Sequence, residues 1–309
     1  MAASAESPRR RRYVRQPVAS PALTPKKVAL LRYVGDLGVS SLPQLARIGG
    51  VSDKSARRHL RELFDGGLVK VVPVGRYELA GREEGNSAAL LFGSAPNVYV
   101  LTPGGGAALE ELGIEVRRRE DPRYGPRNSL FLGHALAVTE VRVWLEVAAR
   151  MHPPHRLERW TDGKAAEIEL LQPGAARAVR PDSWFVYRLG ERVLVGLLEA
   201  DRGTERGAGR WKEKVAAYSA LFSGGRLREA CGYANARVLV VAPTARRRDF
   251  LAAFVAREAG AVAQRFWFAD RSVLSSDDLS LAAWRKPGSD RLLPLIPREL
   301  LGPPPVSRT

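Results

Sequence analysis

Three carboxylates mark the ends of two apolar runs in "RPDSWFVYRLGERVLVGLLEADRGTE", residues 180–205. Asp182 opens the first run, Glu199 and Asp201 close the second, and a Leu-Gly-Glu turn joins them. Side chains alternate along a strand, so Glu199 and Asp201 are expected on one side and Ala200 on the other. Pairing the runs as a hairpin brings Asp182 beside them. Like charges that close raise one another's pKa and cost stability unless a cation intervenes. Mg²⁺ takes oxygen ligands, often one or two carboxylates plus waters, which makes Asp182 and Glu199 the expected metal ligands. A metal there would position a water and stabilise charge on a phosphate, the chemistry of phosphodiester hydrolysis. The plainer reading is structural: Asp182 caps a turn after Pro181, and Arg202 neutralises Glu199 or Asp201 in an ion pair.

A sheet has to hold these acids, and the surrounding pattern supplies one. "LFLGHALAVTEVRVWLEVAARM" reads as a long amphipathic helix, followed by strands at "LERWTD" and around "AEIELL" and then by the acidic hairpin. The helix "GRWKEKVAAYSALFSGG", the buried strand "ARVLVVAP", the helix "TARRRDFLAAFVAREAG" and the strand "QRFWFAD" complete the series. Strands and helices alternating in this way predict an α/β layer with a mixed central sheet. Lys212 and Lys214 fall on different faces of their helix. Lys214 shares a side with Trp211 and Tyr218, which read as core residues. His134 reads as a helix-start residue, His152 and His155 as loop, and Cys231 as inert.

The N-terminal third has another character. "TPKKVALLRYVGDLG" carries a Thr cap, a Pro in the first turn and apolar residues at helical spacing. "SSLPQLARIGGVSDKSARRHLRELFDGGLVKVV" adds a short helix, a Gly-Gly-Val turn, a helix capped by Ser52 or Asp53, and a strand. These are the parts of a winged helix-turn-helix, with "LVKVV" and "NVYVLT" as the wing around an interruption containing "GREEGNS". The last of those helices divides by face. Ala56, Leu60, Leu63 and Phe64 are expected inside, and Lys54, Arg57, Arg58 and Arg61 outside, as entry into a major groove requires. The plainer reading is an ordinary solvated cationic face.

Composition bounds the partners. Lys and Arg number 49 against 33 acids, a net charge of +16 over 309 residues, which favours a polyanion such as double-stranded DNA. The other source of such a surplus is a sequence-wide preference for Arg. The lone cysteine allows no internal disulfide or cysteine-based zinc site and fits a reducing cytoplasm. No apolar stretch approaches a membrane span, and "SPRRRRYVR" is not followed by an export-signal core.

Three resemblances sharpen the reading. "YVLTPGG" resembles the junction in winged-helix proteins where the second wing strand feeds the last helix. "RPDSWF" followed by "LLEAD" resembles the PD-(D/E)XK nuclease superfamily, an Asp after Pro and then E-x-K at a strand end, except that Asp201 stands where the lysine is expected. Some members carry that lysine on the following helix, and Lys214 is the position that matches here. Over residues 24 to about 285 the order "GHALAVTEVRV", "RPDSWFVY", "LLEADRGTERGAGRWKEKVAAY", "RVLVVAPTARRRDFL" is similar to the replication-relaxation family of plasmid and mobile-element proteins.

The resemblance implies an α/β protein, an N-terminal winged helix-turn-helix followed by a PD-(D/E)XK-like domain with a mixed central sheet. The expected boundaries are a disordered basic arm at 1–23, the DNA-binding domain at 24–115, a linker at 116–128, the nuclease-like domain at 129–286 and a proline-rich tail at 287–309. The implied site comprises Asp182, Glu199, Asp201 and Lys214, with Arg202, Thr204 and Glu205 beside it, Glu140 as a candidate helix acid, and Mg²⁺ as the cofactor if there is one. His134 matches the start of the family's helix motif. Three functions fit: a DNA-binding replication or mobilisation factor that does not cut and works with other replication proteins, a Mg²⁺-dependent endonuclease, and a transcription regulator. An acid at 201 weakens the endonuclease, since it cannot steady developing negative charge as a lysine does.

Overall fold

The computed structural model describes residues 13–18, 21–72, 97–116, 129–170, 178–203 and 209–301. They fall into two compact units, one before residue 117 and one from residue 129 onward. The "GREEGNS" segment, residues 117–128 of the linker expected at 116–128, Thr204, Glu205, the Arg9–Arg12 cluster and the last eight residues lie outside the described residues, while Val116 is buried.

The first unit begins with α1 (Pro25–Leu37), α2 (Leu42–Gly49) and α3 (Asp53–Asp65). Pro25 opens α1 as the pattern predicts, and the Ser52 hydroxyl accepts from the Ser55 amide at 3.3 Å to cap α3. Ala56, Leu60 and Leu63 are buried, as their spacing requires. Phe64 is only half-buried and packs against Tyr13, ring centroids 4.9 Å apart. Three short strands, β1 (Ser40–Ser41), β2 (Val69–Val72) and β3 (Val98–Leu101), form an antiparallel sheet in the order β1-β3-β2.

The end of the stretch expected to be an unstructured arm is bound to α3. Arg15 Nε donates to the Asp65 carbonyl at 2.9 Å, and the Gln16 amide donates to Asp65 Oδ1 at 2.8 Å. Helix α4 (Pro103–Glu111) follows β3, capped by the Thr102 hydroxyl, which accepts from the Gly105 amide at 3.0 Å. Within the tripeptide Gly104-Gly105-Gly106, it is Gly105 that is there for space. A Cβ on Gly105 would stand 2.1 Å from the Leu68 carbonyl oxygen, a backbone atom that cannot step aside.

The second unit is built on a seven-stranded mixed sheet in the order β12-β11-β10-β9-β8-β7-β4. Its strands are β4 (Arg156–Asp162), β7 (Ser183–Leu189), β8 (Arg192–Ala200), β9 (Arg237–Ala242), β10 (Phe266–Asp270), β11 (Ala282–Arg285) and β12 (Leu292–Pro294). The pairs β8–β9 and β9–β10 are parallel, and the other pairs are antiparallel. The "AEIELL" stretch yields β5 (Ile168–Glu169), which pairs with β6 (Ala178–Val179) in a separate ribbon.

Each face of the large sheet buries its own core. Val195 and Leu197 of β8 join Trp211 and Tyr218 of α6 (Gly209–Ser223), Leu227 of α7 (Arg226–Cys231), and Leu251 and Phe254 of α8 (Ala245–Glu258). Leu194 and Leu198 point the other way, toward Trp144 and Leu145 of α5 (Ser129–Met151). The proline-rich end expected to wrap or dangle contributes β12 to the sheet edge, and its Leu295, Ile296 and Leu301 enter the second core. Burial of these apolar side chains favours the segment, and Pro294 lies on the edge strand, where a missing amide is tolerated.

Gly105→Ala should cost about 1–3 kcal/mol through overpacking against Leu68. Gly104→Ala, whose new Cβ would have no neighbour nearer than 3.8 Å, should leave the urea midpoint unchanged or raise it. Equal midpoints for the two variants would contradict the close approach.

Candidate functional site

The three acids gather at the carboxyl end of β8, and each is matched to a protein donor. The hairpin pairs Ser183 with Leu198, which leaves Asp182 one step beyond the paired end of β7. Its amide donates to the Leu198 carbonyl at 2.9 Å, and its Oδ2 accepts from the Ala200 amide at 2.7 Å. Its Oδ1 lies 2.9 Å from His134 Nε2 on α5. Asp182 therefore ties β7 to β8 and both to α5, beyond capping a local turn.

Glu199 is 1% exposed, with both carboxylate oxygens engaged by α6. Lys214 Nζ donates to Oε2 at 2.5 Å, and the Tyr218 hydroxyl donates to Oε1 at 2.6 Å. Lys214 and Tyr218 lie one helical turn apart, so one face of α6 delivers both donors. Lys212 points to solvent. Asp201 lies just past β8, and Arg247 of α8 holds it through two nitrogens, at 2.8 Å to Oδ2 and 3.3 Å to Oδ1. The cation matched to Asp201 in the described ion pair is thus Arg247, and Glu199 has Lys214. Arg202 is buried, and its positive charge acts on the His134 ring.

The electrostatics follow from burial and these partners. Burial pushes the Glu199 carboxyl up; the Lys214 ammonium opposes that and the Asp182 charge adds to it, leaving the pKa raised. Burial, then the Glu199 charge, keeps the Tyr218 hydroxyl protonated well above its ordinary range. Burial alone would lower His134, but the bonded Asp182 carboxylate outweighs it, and the ring titrates above 6.5.

Mg²⁺ fits this arrangement poorly. Both oxygens of Asp182 and both of Glu199 face protein hydrogen-bond partners, and the Lys214 ammonium stands where a divalent ion would have to approach Glu199. Among the described residues, no three His, Cys, Asp or Glu side chains group closely enough to hold a metal ion.

Three residues in these contacts read from the sequence as something else. The sequence marks His134 as a helix-start residue within a family motif and Tyr218 as core, and nothing in it sets Arg247 apart from its arginine run. The i, i+4 spacing from Lys214 was the available signal for Tyr218; His134 and Arg247 had none, because their partners are 48 and 46 residues away. His155, read as loop, is buried, and its Nε2 bonds the Leu300 carbonyl at 2.9 Å. Cys231 is buried, and burial pushes its thiol up to about 11, an inert state.

The second candidate surface is α3, where Lys54, Arg57 and Arg58 are exposed. Arg61 differs from the expectation of an open face. Its Nε pairs with Asp65 at 2.7 Å, its Nη2 donates to the Val14 carbonyl at 2.9 Å, and its guanidinium lies 4.8 Å from the Tyr13 ring centre. Its side chain pins the chain segment before α1.

His134 should titrate above 6.5 by NMR and fall when Asp182→Asn removes the carboxylate. A group whose pKa is raised on folding stabilises fully below its unfolded value of about 6.5 and loses that contribution as pH rises through the folded value. The stability difference between the native protein and Asp182→Asn should therefore shrink as pH rises past that point. Lys214→Met should cost about 1–3 kcal/mol by leaving a buried carboxylate oxygen without its donor. Adding Glu199→Gln should recover part of that loss in the same urea titration.

Among the described residues, no helix is long and apolar enough to cross a membrane. No curated protein and no solved structure matches the chain. A model of the replication-relaxation family does, over residues 30–235, a span that takes in α2, α3, the hairpin with Asp182 and Glu199, and Lys214. With more than half of its length matched, the chain belongs to the replication-relaxation family.

Proposed function

We propose that this is a DNA-binding protein of plasmid or mobile-element replication, with a winged helix-turn-helix that grips double-stranded DNA and a nuclease-like second domain that does not cut. One observation carries the DNA-binding half: α3 sets Lys54, Arg57 and Arg58 in solvent on one helix while Ala56, Leu60 and Leu63 anchor the opposite side. A helix so divided can enter a major groove without giving up its own packing. The chain's +16 charge adds long-range attraction to a polyanion. Family membership supplies the replication context.

The reading of the second domain rests on the state of its acids. In metal-dependent phosphodiester hydrolysis, carboxylate oxygens must be available to a cation. Here Glu199 is closed by Lys214 and Tyr218, and Asp201 by Arg247. The set resembles a PD-(D/E)XK site whose charges have been matched internally, so it serves as a rigid structural element of the α/β domain. Endonuclease activity is the competing reading, favoured by the lysine 2.5 Å from Glu199 at the sheet end.

Two measurements decide. Lys54→Ala, Arg57→Ala and Arg58→Ala combined should lower the slope of log affinity against log salt by about 3 units, roughly one for each lost phosphate contact. An unchanged slope would remove α3 as the contact surface. Supercoiled plasmid incubated with the protein and Mg²⁺ or Mn²⁺ should stay supercoiled. Nicking abolished by both Asp182→Ala and Glu199→Ala would establish the endonuclease instead.

A further inference from the structure

The amino end of β8, opposite Glu199, borders a cavity of about 350 Å³. Arg192 begins the strand and Glu199 stands seven residues on, so the rise per residue separates them by roughly 23 Å. The cavity is therefore distinct from the acidic cluster. Its walls combine apolar side chains, among them Leu194 and Leu295, with Arg192, Arg237 and Arg265. Among the described residues none of its lining side chains is acidic.

Two of the three guanidiniums, those of Arg237 and Arg265, are held by neutral groups. Arg237 Nη1 donates to the Leu295 carbonyl at 2.7 Å, and its guanidinium lies 4.2 Å from the Trp267 ring centre. Lys286 Nζ lies 4.9 Å from the same ring centre, which adds a fourth positive charge nearby. Arg265 Nη1 donates to Asn235 Oδ1 at 2.9 Å. Burial lowers the Arg237 pKa with no carboxylate to offset it. A partly desolvated cation without a counter-charge is costly, and an anion entering the cavity would relieve that cost.

We infer that this cavity binds a small organic phosphomonoester, its phosphate on Arg192, Arg237 and Arg265 and its organic body on the apolar wall. Guanidinium forks match phosphate oxygens in pairs, which favours a phosphate over a single carboxylate. The volume falls at the small end of ligand pockets and suits a body about the size of a nucleoside.

Calorimetry on the full chain tests this with three probes: adenosine monophosphate, inorganic phosphate and octanoate. The nucleotide should bind saturably at one site, with inorganic phosphate weaker and octanoate weaker still. The Arg192→Gln/Arg265→Gln variant spares the Arg237 anchor on Leu295 and should lose at least tenfold in nucleotide affinity. Circular dichroism and thermal unfolding should show it folded like the native protein. Absence of saturable heat with both phosphate probes would overturn the inference, as would unchanged nucleotide affinity in the folded variant. Inorganic phosphate binding as tightly as the nucleotide would overturn the part assigned to the apolar wall, and octanoate binding best would overturn the phosphate.

Discussion

The second unit depends on neutralising carboxylates where its central strand ends. A buried carboxylate without a partner is destabilising, and three near one another would compound the cost. Each acid is satisfied from a different helix: Asp182 from His134 on α5, Glu199 from Lys214 and Tyr218 on α6, and Asp201 from Arg247 on α8. The same contacts therefore fix where three helices cross the end of the sheet. Removing one cation would loosen the seating of its helix as well as expose a charge.

This arrangement explains how an acidic cluster persists in a chain with a +16 surplus. The acids do not offset the basic surface; they are consumed locally by basic side chains of their own unit. The positive groups on which the proposed binding surfaces rest lie outside these pairs. On α3 these are Lys54, Arg57 and Arg58, with Arg61 withdrawn into a contact with Asp65 and the segment from Tyr13 to Gln16. At the amino end of β8 they are Arg192, Arg237 and Arg265, which line a cavity without a carboxylate among the described residues.

Much of the fold was legible because it follows from short-range rules. The inward stripe of α3 comes from a period of 3.6, and the strand pair flanking the Leu-Gly-Glu turn and the buried run of β9 come from short apolar runs bounded by turn residues. Glu199 and Asp201 do lie on one side of β8, as alternation predicts, since their partners Lys214 and Arg247 sit on the helices that share one core. Alternation could not say that the two would be claimed by different helices. Phe64 and Arg61 departed from expectation because Tyr13, Val14 and Gln16, more than forty residues earlier, fold back onto α3. The proline-rich end likewise joined the sheet because β11 offered it an open edge, which no local pattern announces.

By itself, the sequence determined the α/β class, the order of elements, the face-divided basic helix, and the placing of Asp182 and Glu199 at neighbouring strand ends. These are properties of spacing, and spacing is read within a few turns of chain. Only the tertiary structure decided which charges meet. His134 reaches Asp182, and Arg247 reaches Asp201, across separations of 48 and 46 residues, distances over which sequence carries no geometric constraint. Charge pairing is settled by which helices the two sheet faces bring to the end of β8, and hydrophobic packing against those faces makes that choice.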